Sequence, residues 1–189
     1  MSGIRAILLA AGSSSRFGSN KLLHKINGVE IAVMSARNLA AASTNPLAVI
    51  KSDAALESAL RAAGCDIVVC GNADEGMGVS LACAVRAGGG ADGWIVALAD
   101  MPFIKPSTIT LIAEHVTRGA AVAAPVYRGR RGHPVCFSGS LRDELLSLNG
   151  DEGARRVFQR HGGAHSLVEV DDPGVLRDID TPGDIGSPS

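Results

Sequence analysis

The sequence predicts an α/β three-layer sandwich built on a mostly parallel central sheet. Short apolar runs, each bounded by turn residues, recur along the 189 residues and read as buried strands. Stretches of helical periodicity lie between them, which is the pattern of successive βαβ units. The hydrophobic share is 46%, enough to give a chain of this length a substantial core.

Taken in order, residues 4–10 form the first strand, which stops at Gly12. Residues 22–26 are a short segment closed by Asn27-Gly28, a strong turn signal. Residues 31–42 read as a helix, with Ile31, Met34 and Leu39 among the apolar positions. The run 47–50 follows Pro46 as the second strand. Asp53 is placed to cap a helix over 54–63, and Gly64 to end it. Residues 66–70 give a third strand, and 79–87 a helix introduced by Gly76-Met77-Gly78 and ended by three glycines. Residues 94–99 are the fourth strand, ending at Asp100. Pro106 suits the first turn of a helix running to about residue 118. Residues 120–124 make a fifth strand. After Pro125 the pattern changes: 127–132 is basic and glycine-rich, 135–137 reads as a strand, 141–148 and 153–161 as helices, and 166–170 as a late strand. No linker or internal repeat interrupts this order, so residues 1–186 are expected to form one domain, with 187–189 as a tail.

Composition narrows the function. The formal charge is −1 and there is no basic block, so neither nucleic acid nor an anionic membrane is indicated as a partner. Aromatic residues are only 3%, too few for single-strand binding by base stacking. No apolar run reaches transmembrane length, and Arg5 interrupts the first one, so neither a span nor a secretory leader is read and a cytoplasmic location is expected. Cys65, Cys70, Cys83 and Cys136 show no C-x-x-C spacing and have apolar neighbours. They read as buried thiols rather than zinc ligands.

The stretch from Leu8 to Lys21 carries the main chemical signal. A small-residue loop follows the first strand, with Gly12 and Gly18 allowing close backbone approach and Arg16 and Lys21 adding positive charge. Successive backbone N–H groups in such a loop form a nest for phosphate oxygens. The loop lacks the G-x-x-x-x-G-K-[ST] of a P-loop and the G-x-G-x-x-G of a dinucleotide site, and alone it reads equally well as an ordinary strand-to-helix turn. Asp100 stands at the carboxyl end of a buried strand, where ligands of open α/β sheets bind. In isolation it could equally be a helix cap. With a phosphate loop after the first strand at the same sheet edge, a Mg²⁺ role is the better reading, since one or two carboxylates suffice for that ion.

The run L-A-A-G-x-S-x-R-F-G-x-x-K resembles the signature loop of nucleotidyltransferases with the nucleotide-diphospho-sugar transferase (Rossmann-like) fold. Within them it is most similar to the molybdenum cofactor cytidylyltransferase branch of MobA/MocA-like proteins. Gly76-Met77-Gly78-Val79-Ser80-Leu81, Ala97-Leu98-Ala99-Asp100-Met101-Pro102, Gly129-Arg130-Arg131-Gly132-His133-Pro134 and Asp178-Ile179-Asp180-Thr181-Pro182 follow in the family's order. Together they span nearly the whole chain.

The resemblance implies transfer of CMP from CTP to molybdopterin or its molybdenum-loaded form, with release of pyrophosphate. It implies a nucleotide site from Leu9, Ala10, Ala11, Gly12, Ser13, Arg16, Lys21, Gly78, Ser80 and Asp100, with Arg16, Lys21 and Asp100 as the catalytic group. Asp100 and Asp180 would hold Mg²⁺ as the cofactor, while Asp178 reads as a turn or capping residue. The methyl of Ala11 would restrict a larger base. Arg131, Gly132, His133 and Pro134 would bind the acceptor, since an anionic pterin phosphate needs cations to cradle it. Read plainly, that basic loop is a solvated turn. Residues 150–155 would cover the pterin side, although Asp151-Glu152 also reads as an acidic pair at a helix start. Two alternatives stay open. One is a sugar- or polyol-phosphate nucleotidyltransferase on the same scaffold. The other is a non-catalytic accessory protein that holds the molybdenum cofactor and makes transient contact with a molybdenum hydroxylase.

Overall fold

The computed structural model describes residues 3–12, 20–40, 45–150 and 153–185. One eight-stranded sheet runs through it. Its strands are β1 (Ile4–Leu9), β4 (Leu47–Ile50), β5 (Asp66–Val69), β6 (Gly93–Leu98), β7 (Val122–Tyr127), β8 (Arg130–Arg131), β9 (Val135–Ser138) and β10 (Leu167–Glu169). The order across it is β10-β7-β9-β6-β1-β4-β5, with β8 also paired to β7. A separate small hairpin joins β2 (Lys25–Ile26) to β3 (Val29–Glu30). Asn27 and Gly28 form its turn, both at positive φ, as a tight two-residue hairpin requires.

Strand β1 is central and parallel to both neighbours, pairing Ile7 with Val96 of β6 and with Leu47 of β4. The two faces of β1 feed separate cores. Ala6, Leu8 and Ala10 join one and Ile7, Leu9 and Ala11 the other, which is why the run reads as apolar without alternation. The first core packs α1 (Ile31–Leu39), α2 (Ala54–Ala62) and α4 (Pro106–Thr117) through residues such as Ile31, Leu39, Leu60 and Ile112. The second packs α3 (Met77–Ala87), α5 (Arg142–Leu146) and α6 (Gly153–His161) through Leu81, Val85, Leu145 and Phe158. A sheet between two helical layers gives the expected sandwich.

Local signals act as their chemistry dictates. Asp53 Oδ1 accepts the Leu56 N–H at 2.9 Å and caps α2. Gly64 ends that helix at φ 87°. Several boundaries differ from expectation. Helix α1 closes at Leu39, and residues 41–42 of the expected helix lie outside the described residues. The fifth strand runs through Pro125 to Tyr127 rather than stopping at 124, because β8 and β10 pair with its far end. Strand β9 enters antiparallel between β6 and β7, Trp94 and Val122 both pairing with Phe137. The helix expected over 141–148 narrows to Arg142–Leu146 behind a single 3₁₀ turn, Gly139–Leu141.

Candidate active site

The site is assembled where β1, β6 and β4 end. Ala10 leaves β1 with its N–H on the Val49 carbonyl at 2.8 Å, holding residues 10–12 against the sheet edge. Residues 13–19, and with them the expected Ser13, Arg16 and Gly18, lie outside the described residues. The chain is described again at Asn20. The Asn20 side chain accepts the Leu22 N–H at 3.1 Å and donates to Asp53 Oδ2 at 2.7 Å. These two bonds fix a 3₁₀ turn, Lys21–Leu23, and with it the start of the Lys21 side chain.

Asp100 is placed by a second set of bonds. Ala99 N–H donates to the Leu9 carbonyl at 3.0 Å. The buried Ser35 hydroxyl of α1 donates to the Ala99 carbonyl at 2.9 Å, and Asn38 Nδ2 to the Pro102 carbonyl at 2.9 Å. Asp180 comes from far along the chain but is tied to the same spot, because Ile179 N–H donates to the Asp100 carbonyl at 2.9 Å. Asp184 Oδ2 accepts from the backbone N–H groups of Asp180, at 3.0 Å, and Thr181, at 2.7 Å. These bonds to the Thr181 and Asp180 backbone hold the Asp184 carboxyl below its ordinary pKa. The Asp184 side chain thus ties residues 180 and 181 to the turn that follows them.

The three charged groups meet. Lys21 Nζ lies 2.8 Å from Asp100 Oδ2 and 2.9 Å from Asp180 Oδ1. Burial works against the ammonium, but the hydrogen bonds and charges of the two carboxylates outweigh it and raise its pKa above 10.5. Asp100 Oδ1 is buried and has no hydrogen-bond partner among the described residues. Buried polar atoms are ordinarily satisfied, and a carboxylate oxygen placed here can accept from a donor or ligate a cation.

Beside this cluster opens a cavity of about 310 Å³, lined by Leu9, Ala10, Ala11, Gly12, Lys21, Ser80 and Asp100 among others. Seven of the expected nucleotide-site residues are thus brought together. Gly78 does not line this cavity. Its N–H is spent on the Gly150 carbonyl at 2.8 Å, and Gly76, at φ 131°, lines the cavity instead. That φ is one that a side chain disfavours. The wall also includes Lys51, Ala73, Asp74 and Met77, which sequence reasoning missed. Lys51 directly follows an apolar strand, as Asp100 does, and the same rule applied to β4 finds it.

A second cavity, about 220 Å³, adjoins the first, and Met77 lines both. Arg131, Gly132, His133, Val135, Ala154, Arg155 and Phe158 complete it. Of the expected acceptor residues, Pro134 is buried and does not line it. The Arg131 guanidinium stacks on the Phe158 ring at 4.4 Å. Burial, then the Arg155 charge, lower its pKa. Burial, then the Arg131 charge, push the His133 imidazole down to about 4 against the opposing pull of Asp100, so it is neutral at pH 7. Its Nδ1 has no partner among the described residues. Gly132 is required by close approach, since a Cβ there would meet the Val175 carbonyl oxygen at 2.1 Å.

Residues 6–165 match the model of the MobA-like NTP transferase domain. The chain belongs to the MobA-like NTP transferase family. Its fold is that of the nucleotide-diphospho-sugar transferases, and nucleotidyl transfer is its class of chemistry. The chain is also similar to purine catabolism protein PucB of Bacillus subtilis, 30% identical over an alignment of 190 positions that covers 93% of this chain and 91% of that one. A nucleotidyl transferase from Methanothermobacter superposes with a TM-score of 0.80 at 27% identity, covering 96% of this chain and 94% of the other. Rv0371c of Mycobacterium tuberculosis, solved in complex with manganese, superposes at 0.73 with 28% identity, covering 96% and 95%. Among the described residues, no helix of this family member is long and apolar enough to cross a membrane.

Proposed function

We propose that the chain transfers CMP from CTP to molybdopterin or its molybdenum-loaded form, releasing pyrophosphate. The observation that carries this reading is the meeting of Lys21, Asp100 and Asp180 beside a cavity that begins at the first-strand loop. The donor set fits Mg²⁺, which takes hard oxygen ligands and needs few of them from protein. Asp100, with its unpartnered buried Oδ1, and Asp180 would hold the ion. Manganese in Rv0371c is a precedent for a divalent cation in a similar protein. Bound there, the cation would neutralise triphosphate charge.

The chain's own residues do the rest. Backbone N–H groups of residues 11 and 12 approach the phosphates, and Lys21 and Arg16 share their charge as it shifts toward the leaving pyrophosphate. Ser80 and Gly76 face the nucleoside, and the Ala11 methyl narrows the cavity against a purine. The acceptor lies in the second cavity, with Arg131 and Arg155 drawing its phosphate and neutral His133 offering a hydrogen-bonding nitrogen without adding charge. An acceptor phosphate oxygen attacks the α-phosphorus as the bond to the bridging oxygen of pyrophosphate breaks. No covalent enzyme intermediate is required.

The test is pyrophosphate release from CTP, UTP, ATP and GTP, each with molybdopterin and Mg²⁺. The expected result is release from CTP alone. Equal release from GTP contradicts the base assignment, and no release from any triphosphate contradicts the reading as a whole.

A further inference from the structure

Asp172 lies in the segment Val170-Asp171-Asp172-Pro173-Gly174-Val175 that follows β10, and it lines neither cavity. The residue is 1% exposed. A carboxylate buried so deeply needs its oxygens filled by donors. Oδ2 accepts from the Lys105 N–H at 2.8 Å and from the Thr108 hydroxyl at 2.7 Å. Oδ1 accepts from the Gly174 N–H at 3.0 Å. The first two donors stand at the start of α4, where the helix dipole also favours an anion. Asp172 therefore caps α4 from a distant segment and ties it to the 3₁₀ turn Pro173–Leu176.

Two parts of the site hang from that turn. The Val175 carbonyl accepts the His133 N–H at 3.0 Å and packs against Gly132. Further along, the Ile179 N–H donates to the Asp100 carbonyl at 2.9 Å. The turn is also pressed onto the connector between Asp100 and α4. A Cβ on Gly174 would meet the Phe103 carbonyl oxygen at 2.2 Å, and the Arg177 guanidinium lies over the Phe103 ring at 4.1 Å. Asp100 and the α4 donors to Asp172 thus sit at opposite ends of one connector, and the segment 172–179 is fastened to both.

We propose that Asp172 is a positioning residue that keeps the acceptor loop, 131–134, in register with Asp100. This rests on the reading of the second cavity as the acceptor site. Asp172 acts through Gly174 and Val175 on His133, which lines that cavity. In-line attack tolerates little misplacement, and about 1 Å can cost on the order of a hundredfold in rate. Asparagine at this position keeps the size of the side chain but turns one acceptor into a donor. Whichever way the amide faces, the N–H of Lys105 or of Gly174 loses its acceptor.

The experiment compares the wild type, Asp172→Asn, Thr108→Val and the core control Ile112→Val. Amide hydrogen exchange is read at His133 and, as reference, at Ile7 in the central strand. Asp172→Asn is expected to speed His133 exchange about tenfold or more relative to Ile7, the worth of one hydrogen bond to a charged group. Thr108→Val removes one donor, spares the carboxylate and raises the same ratio about threefold, and it carries the test if Asp172→Asn does not fold. Ile112→Val, fully buried in the same helix, lowers the melting temperature without raising the ratio. With CTP, molybdopterin and Mg²⁺, Asp172→Asn lowers kcat/KM for the acceptor about tenfold or more, while the dissociation constant of CTP stays within about twofold. An unchanged exchange ratio in the folded variants, or equal losses in acceptor kcat/KM and CTP affinity, overturns the positioning role. Wild type that turns over no CTP with molybdopterin contradicts the acceptor reading instead, and the exchange ratios still decide the role of Asp172.

Discussion

Replacing Lys21 with methionine keeps most of the side-chain stem and removes the ammonium that joins Asp100 to Asp180. Two charge-assisted hydrogen bonds are lost, at 2.8 and 2.9 Å, each worth about 1.5–3 kcal/mol. Two effects reduce that sum. The variant no longer desolvates an ammonium, and the Asp180 side chain is half exposed, so its bond is screened by solvent. The two carboxylates, left without their cation, then repel one another. A net loss of about 2 kcal/mol follows, which lowers the melting temperature of a domain of this size by about 4–8 °C. The assay is thermal unfolding at pH 7 with and without Mg²⁺. A divalent cation can take the place of the ammonium between the carboxylates, so millimolar Mg²⁺ is expected to recover part of the loss in Lys21→Met and to stabilise wild type less. The folded pKa of Lys21 is raised above 10.5. Its contribution is therefore complete below that pH and is lost only as pH climbs through the folded value. The gap between the two proteins should then be constant from pH 7 to 9. An unchanged melting temperature, or a metal response equal in both proteins, refutes the reasoning.

Two further predictions concern packing. Gly132→Ala drives a Cβ to 2.1 Å from the Val175 carbonyl oxygen and disturbs the bond from His133 N–H to that same oxygen, 3.0 Å. A loss of about 1–3 kcal/mol is expected, read by urea unfolding, together with weakened binding in the second cavity. Cys65, Cys70 and Cys136 are buried. Burial, the leading cause for each, lifts Cys65 and Cys70 to about 11 and Cys136 further. Titration of the native protein with a thiol reagent at pH 8 is expected to modify Cys83 alone, and all four cysteines once the chain is unfolded.

The parallel strands were legible because burial on both faces leaves continuous apolar runs. Asp100 was legible because the first polar residue after such a run marks the sheet edge where ligands bind. Lys51 meets the same criterion after β4, but an isolated lysine carries no motif and its partner Asp74 lies on another strand's loop. Pro125 reads as a breaker. It is tolerated inside β7, where its carbonyl accepts the Gly132 N–H at 2.9 Å and Val168 pairs beside it. The antiparallel entry of β9 depends on contacts between distant segments, and no local periodicity encodes it. Gly76 and Gly78 sit in one short motif, and only the fold decides which N–H is spent on Gly150 and which residue faces the cavity. Asp180 was reached through resemblance. The bond from Ile179 N–H to the Asp100 carbonyl is what brings it beside Lys21.

The most direct measurement is pyrophosphate release from CTP and molybdopterin with Mg²⁺ by the wild type and by Asp100→Ala, with circular dichroism of both proteins. The account predicts that Asp100→Ala keeps its fold and loses turnover by at least a hundredfold, as expected on the order of removing one stabilising group from a transition state. A folded Asp100→Ala protein with wild-type turnover would contradict it.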